Sequence, residues 1–295
     1  MTMELTNKFG LPDVVVQSLT RDSYDRGKSN RSVTQLTDSP RIGILNKEYD
    51  SKIEQDVIDF LFSRFGTGMH QMFDGSVEGA EYISEERLTF KHMGWSISGQ
   101  IDLQEITSDG HHLWDYKVTS AWSVVYGKPE WHDQMNAYAW IVRHVKNVPV
   151  TALKIIAILR DWNRRKASED GDYPESPIQV IDIPLLENSE QDSYMDGRIK
   201  LHQDAEFERL RGGPLPLCSD QERWQKPTKW AIKKAKAKRA VRVFDTEAEA
   251  EKFMESKDDN YRIEVRTGED TRCVQNWCRV SAFCDQFMGN KNEME

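Results

Sequence analysis

The stretch Gly99–Ser120, GQIDLQEITSDGHHLWDYKVTS, decides how this chain is read. Apolar and polar residues alternate along GQIDLQEI and again along HLWDYKVTS, with SDG between them, the pattern of two strands joined by a tight turn. Successive side chains of a strand point to opposite faces, so Asp115 and Lys117 share a face and Tyr116 points the other way. Asp102 is out of phase with Ile101 and Leu103 and shares its face with Gln100. If the turn pairs the strands, two carboxylates and one ammonium converge on a single patch. Carboxylates that close repel each other and raise a pKa unless a cation neutralises them. Oxygen ligands suit magnesium or manganese. Lys117 is then left to orient or deprotonate a water, or to stabilise charge on a phosphate oxygen. A solvated strand face explains each residue singly, but it explains their coincidence less well.

Outward from the hairpin, SKIEQDVIDFLFSRFGTGMHQMFD carries Ile53, Val57, Phe60, Leu61 and Phe65 at helical spacing, interrupted by Gly66 and Gly68 just before His70. ISEERLTF alternates as a further strand. GKPEW reads as a loop. HDQMNAYAWIVRHV returns to helical spacing, with Gln134 and Tyr138 one turn apart on one face. TALKIIAILRDW and PIQVIDIPLL are apolar strands, and NSEQDSYMDGRIKLHQDAEFERLR reads as a long exposed helix. The first forty residues, polar and turn-rich, predict an extended arm and a short helix. This order of elements predicts an α/β fold with a central mixed β-sheet flanked by helices. Three regions are expected: an arm over 1–45, a core over 46–213 and a basic, Cys-containing C-terminal extension over 214–295.

The chain has 295 residues, 38% hydrophobic and 30% charged, enough for a substantial core. No apolar run is long enough to span a bilayer and MTMELTNKFG lacks a signal-peptide core, so the expected compartment is the cytoplasm. The net charge of −9 argues against nucleic acid coating the whole surface, though not against a local basic groove.

Gly99-Gln-Ile-Asp102, Asp115-Tyr116-Lys117 and Gln134-Met-Asn-Ala-Tyr138, preceded by Gly66-Thr67-Gly68-Met69-His70, occur in the order of the PD-(D/E)XK nuclease motifs. The chain resembles that superfamily, and within it the RecB-like branch that includes phage recombination exonucleases and CRISPR-adaptation nucleases. The resemblance covers residues 66–138 and implies a restriction-endonuclease-like core. It implies that His70, Asp102, Asp115 and the Val118 carbonyl bind Mg2+ or Mn2+, that Lys117 is the catalytic lysine, and that Gln134 and Tyr138 brace the site or touch DNA. The implied reaction is hydrolysis of a DNA phosphodiester that leaves a 5′-phosphate. Glu85 and Glu86 both stand where the family often carries an acid, and the sequence does not choose between them. Tyr116 and Trp114 read as packing residues, and Lys128 as either a phosphate contact or solvated surface.

Cys218, Cys273, Cys278 and Cys284 are the four cysteines of the chain. Four thiolates suffice for a zinc site or an iron–sulfur cube. The closing trio resembles the [4Fe–4S] scheme of several RecB-type nucleases, although its first gap is longer and its fourth cysteine follows the core. An iron–sulfur cluster pinning the tail to the core is therefore expected ahead of Zn2+, with buried thiols as the plain alternative. Between Lys226 and Arg242 the chain is basic, and Lys229, Lys233, Lys234, Lys236, Lys238 and Arg239 could follow a DNA backbone or line a solvated amphipathic helix. The leading expectation is a metal-dependent exonuclease of linear DNA, plausibly phage-encoded and so acting in the host cytoplasm. A single-strand annealing or replication protein is an expected partner. An endonuclease, a non-cutting module of the same fold, and a redox or zinc interaction protein are the rivals.

Overall fold

A computed structural model describes residues 4–21, 27–76, 79–258 and 260–294. The chain divides into two compact units. The first comprises 1–44 and 50–215, the second 45–49 and 216–295.

The first unit opens with β1 (Glu4–Thr6), α1 (Asp13–Thr20), β2 (Arg31–Ser32), α2 (Val33–Thr37) and α3 (Pro40–Tyr49), whose last residues belong to the second unit. Then come β3 (Glu54–Asp56), α4 (Leu61–Asp74), β4 (Tyr82–His92), β5 (Trp95–Ile106) and β6 (His111–Thr119). The unit closes with α5 (Ala121–Tyr126), α6 (Pro129–Lys146), β7 (Val150–Leu159), α7 (Arg164–Glu169), β8 (Ile178–Ile183) and α8 (Asn188–Leu210). Six strands form one mixed sheet. Within it, β4–β5, β5–β6 and β7–β8 are antiparallel, whereas β2–β5 and β6–β7 are parallel.

One edge of β5 is covered by β4 from Trp95 to Glu105. Its other edge is divided. β2 takes Ile97 and Ser98, and β6 takes Leu103 to Ile106, opposite Trp114 to His111. Gly99 to Asp102 therefore lie where the sheet forks. Asp102 Oδ2 accepts the Tyr116 N–H at 2.8 Å and so satisfies a donor that the ended ladder leaves over. The hairpin itself is closed by Thr107 N donating to the Gly110 carbonyl at 2.9 Å. At Gly110 φ is 148° and an added Cβ would stand 2.6 Å from the Pro149 oxygen, so only glycine fits.

The core lies between the sheet and α6, where Met135, Ala137, Trp140, Ile141 and Val142 meet Ile97, Ile101, Leu113, Leu153 and Ile155. GKPEW is only partly the expected loop, because Pro129 already sits at the first position of α6, where its fixed φ and missing N–H are harmless. α8 is less exposed than its composition predicts: Gln191, Met195, Ile199, His202 and Ala205 form a buried stripe. The stripe is one residue wide and partly polar, so it hides among charged neighbours.

The helix expected from Ile53 onward begins only at Leu61. Asp56 is the reason. Its Oδ2 accepts Thr6 Oγ1 and Lys8 N, both at 2.8 Å, and its Oδ1 accepts Ile58 N at 3.2 Å. A side chain that competes so well for local donors holds 54–56 as β3 beside β1 and Val57–Phe60 as a 3-10 turn. Gly66 and Gly68 do not break α4. Each weakens a helix by about 1 kcal/mol, which fourteen residues can absorb.

The second unit contains β9 (Gln225–Lys226), β10 (Lys229–Lys234), β11 (Arg242–Phe244), α9 (Glu247–Met254), β12 (Tyr261–Arg266), β13 (Glu269–Asp270), α10 (Thr271–Val274) and α11 (Asp285–Met294). β11, β10 and β12 form an antiparallel sheet in that order. The basic stretch is thus strand and turn rather than an amphipathic helix. Among the described residues no helix is long and apolar enough to cross a membrane.

A candidate metal centre at the fork of the sheet

Four elements converge where β5 and β6 part. α4 brings His70, β4 brings Glu85, β5 brings Asp102 and β6 brings Asp115 and Lys117. They line a cleft of about 420 Å³ with Gln100, Gln134 and Tyr138. His70 Nδ1 lies 2.9 Å from Glu85 Oε1 and 3.6 Å from Asp102 Oδ1. One ligand atom from each of these three residues falls within 4.8 Å of the other two. The hydrogen bond to Glu85 is the main cause raising the His70 pKa. Asp102 is 6% exposed, and burial first, then the Asp115 charge, push its carboxyl up to about 8.

Glu85 is the acid the sequence left undecided. Its φ is 48°, a left-handed value rare for a residue with a side chain. The ladder runs past it on both sides, with Ser84 opposite Leu103 and Glu86 opposite Ile101. Glu85 Oε2 accepts Gln100 Nε2 at 2.6 Å, which fixes the carboxylate toward the cleft. Glu86 turns away to Lys146 Nζ, 2.6 Å distant, and to Gln104 Nε2. Alternation along β4 sends only one of the two to the site.

Asp115 is 2% exposed. Its Oδ1 accepts Gln134 Nε2 at 3.1 Å, and the same amide group donates to Tyr138 Oη at 3.0 Å. Its Oδ2 lies 2.7 Å from Lys117 Nζ, but the pair lacks hydrogen-bond geometry, and that buried oxygen has no hydrogen bond. Tyr138 lies over Gly99, where an added Cβ would come within 3.2 Å of the ring. Val118, the next residue on β6, is half-buried beside Ile158. Tyr116 packs against Phe73 at 4.6 Å and His70 at 5.6 Å between ring centroids.

These residues fit a divalent cation. The trio offers one nitrogen and two carboxylates, a hard donor set for magnesium or manganese. Burial, with the Asp115 carboxylate beside it, holds the Asp102 carboxyl protonated, and a bound cation would relieve that cost. Asp115 lies outside the trio and is engaged by Lys117 and Gln134.

The remaining predicted residues lie elsewhere. Lys128 caps α6, 4.0 Å from Glu130 and 5.9 Å from the Trp131 ring, and does not line the cleft. In the second unit Lys229 pairs with Asp245, and Lys233 lies 2.8 Å from Glu264. Lys234, Lys236, Lys238 and Arg239 are exposed around the β10–β11 turn. Cys218, Cys273, Cys278 and Cys284 are all buried. Burial, and then the neighbouring Cys278, push the Cys273 thiol up to about 12, with Cys218 and Cys284 near enough to contribute. The thiols therefore share one neighbourhood, yet no three come within 4.8 Å of one another.

No curated protein matches this chain. Among solved structures it is similar to the crystal structure of SSO0001, at 15% identity and a TM-score of 0.43, over 64% of this chain and 85% of that one. The model of the PD-(D/E)XK nuclease superfamily matches residues 16–285. With acids, histidine and lysine gathered at the fork of a mixed sheet, and with that match running nearly end to end, this chain belongs to the PD-(D/E)XK nuclease superfamily.

Proposed function

We propose that the protein is a metal-dependent exonuclease that hydrolyses phosphodiester bonds of linear DNA in recombination, repair or replication. The observation that carries this reading is the convergence of His70, Glu85 and Asp102 beside the Asp115–Lys117 pair. His70, Glu85 and Asp102 would hold Mg2+ or Mn2+, with Asp115 completing the set through its oxygen without a hydrogen bond. A cation held there would supply Lewis-acid polarisation of a phosphoryl oxygen. Lys117 Nζ stands where it can hold or move a proton of the attacking water and balance charge on the phosphate. Gln134 orients Asp115, and Tyr138 fixes Gln134.

End-labelled linear and circular DNA, incubated with and without Mg2+ or Mn2+, tests the proposal. Wild-type protein should degrade the linear form and spare the circle. Asp115→Ala and Lys117→Ala should each lose at least about a hundredfold in rate. Variants as active as wild type would sink the catalytic reading, and cutting of the circle would favour an endonuclease.

For the four buried thiols we favour a [4Fe–4S] cluster over zinc, on the resemblance of the closing trio Cys273, Cys278 and Cys284. A brown protein absorbing at roughly 400 nm after anaerobic purification is expected. A colourless, zinc-containing protein would overturn that preference.

A further inference from the structure

Four aromatic rings on α4 and α5 stand exposed, and the chemistry above does not use them. Tyr126 is 79% exposed, Phe65 50%, Phe62 48% and Trp122 39%. They form two pairs, Phe62–Phe65 on α4 and Trp122–Tyr126 on α5, and adjoining apolar side chains left open mark a binding surface. Trp122 and Tyr126, one turn apart on α5, stack with centroids 5.8 Å apart and planes 18° from parallel. Trp122 is held from behind by the edge of Tyr173 at 5.8 Å. Lys166 Nζ lies 5.8 Å from its ring centroid. Tyr126 is the open end of that stack.

The surface joins the cleft through covalent and hydrogen-bonded neighbours. Phe62 precedes Ser63, which lines the cleft on α4. The Arg160 guanidinium lies 4.2 Å from the Phe62 ring centroid. Arg160 N donates to the Thr119 carbonyl at 2.9 Å, two residues beyond Lys117 on β6. Ala121 N, at the start of α5, donates to Asp161 Oδ1 at 2.7 Å. The rings of α4 and α5 are thus tied to the end of the strand that carries Asp115 and Lys117.

Flat apolar faces interleaved with two cations match unpaired bases and the phosphates that link them. Duplex DNA keeps its base faces stacked inside and cannot use such rings. We propose that Trp122 and Tyr126, flanked by Phe62, Arg160 and Lys166, form a stacking platform for the unpaired bases of a single-stranded DNA end entering the cleft. The proposal rests on the nuclease reading and names its substrate: a single strand, or a duplex end frayed into one.

The test measures binding apart from cutting. A fluorescein-labelled oligothymidylate and a duplex of equal length are titrated with the full protein in EDTA and followed by anisotropy. Tyr126→Ala removes a well-exposed ring, should leave the fold intact, and should weaken single-strand binding by about 5- to 100-fold, the range for one lost base–aromatic stack. Tyr126→Phe should bind as wild type does, and duplex binding should be weak in all three. Equal single-strand affinity of wild type and Tyr126→Ala would overturn the platform, as would a wild type that prefers duplex. Unchanged DNA affinity with loss of self-association in sedimentation velocity would assign the rings to a second copy of the chain and overturn it too. Cleavage of the same oligonucleotides with Mn2+ separates the two readings. Metal-dependent cutting lost in Asp115→Ala but blind to Tyr126 leaves the nuclease standing without the platform. Neither binding nor cutting by wild type removes both.

Discussion

At Asp102, burial and the neighbouring Asp115 carboxylate hold a proton on the side chain up to about pH 8, against an ordinary 3.8. In the unfolded chain that proton leaves near 3.8. The folded form therefore binds more protons across the window from about 4 to 8, and its stability falls as pH rises through it. Melting followed in EDTA should show a Tm that declines over this range. Saturating Mn2+ at pH 8 should raise it by about 5 °C or more. Asp102→Asn should flatten the pH dependence and abolish the metal shift; a wild-type Tm indifferent to Mn2+ would remove the cation from the site. Glu85→Gln should reduce the metal shift while Glu86→Gln leaves it, since only Glu85 meets His70. The sequence could not rank these two glutamates. What separates them is the face of β4 each occupies and the Gln100 hydrogen bond, neither of which their spacing encodes.

Among elements, the pairing of α6 with β5 depends on Gly99. An alanine there would press its Cβ to within 3.3 Å of the Tyr138 ring and of Val33. Rings and a β-branched side chain yield little, so Gly99→Ala should destabilise the protein by about 1–3 kcal/mol. It should also shift Tyr138 and, through it, Gln134 and Asp115, so nuclease rate should fall more than thermal stability alone explains. Denaturant unfolding and initial rates on one preparation check this, and full activity would show that the contact is slack. The elements themselves were largely legible. Period-two alternation marked β4, β5 and β6, and helical spacing marked α6, because both patterns repeat over many residues. α4 was misread at its start because Asp56 sequesters local donors, and at its glycines because no single glycine breaks a helix that long.

Across the first unit, α8 is joined to the C-terminal end of α2 by His202, whose Nε2 lies 3.2 Å from the Leu36 carbonyl and 3.1 Å from the Asp38 carbonyl. Burial, with Arg198 beside it, depresses its pKa from 6.5 to about 4. The unfolded chain then takes up a proton first as pH falls, so stability is lost between about 6.5 and 4, by up to about 3 kcal/mol. His202→Gln should reduce that acid sensitivity in urea titrations at pH 7 and pH 5; an unaltered pH dependence would place the loss elsewhere.

The amino-acid sequence by itself determined the strands, the SDG hairpin, the shared face of Asp115 and Lys117 and the helical pair Gln134–Tyr138. Each is a local periodicity, set by backbone geometry within a few residues. Only the tertiary structure decided where the β5–β6 ladder ends and which glutamate joins His70. It also decided that α8 is buried along a stripe, and that Arg160 lies over the Phe62 ring. Those outcomes depend on residues tens of positions apart, brought together by packing of the core, and no short window of sequence contains them.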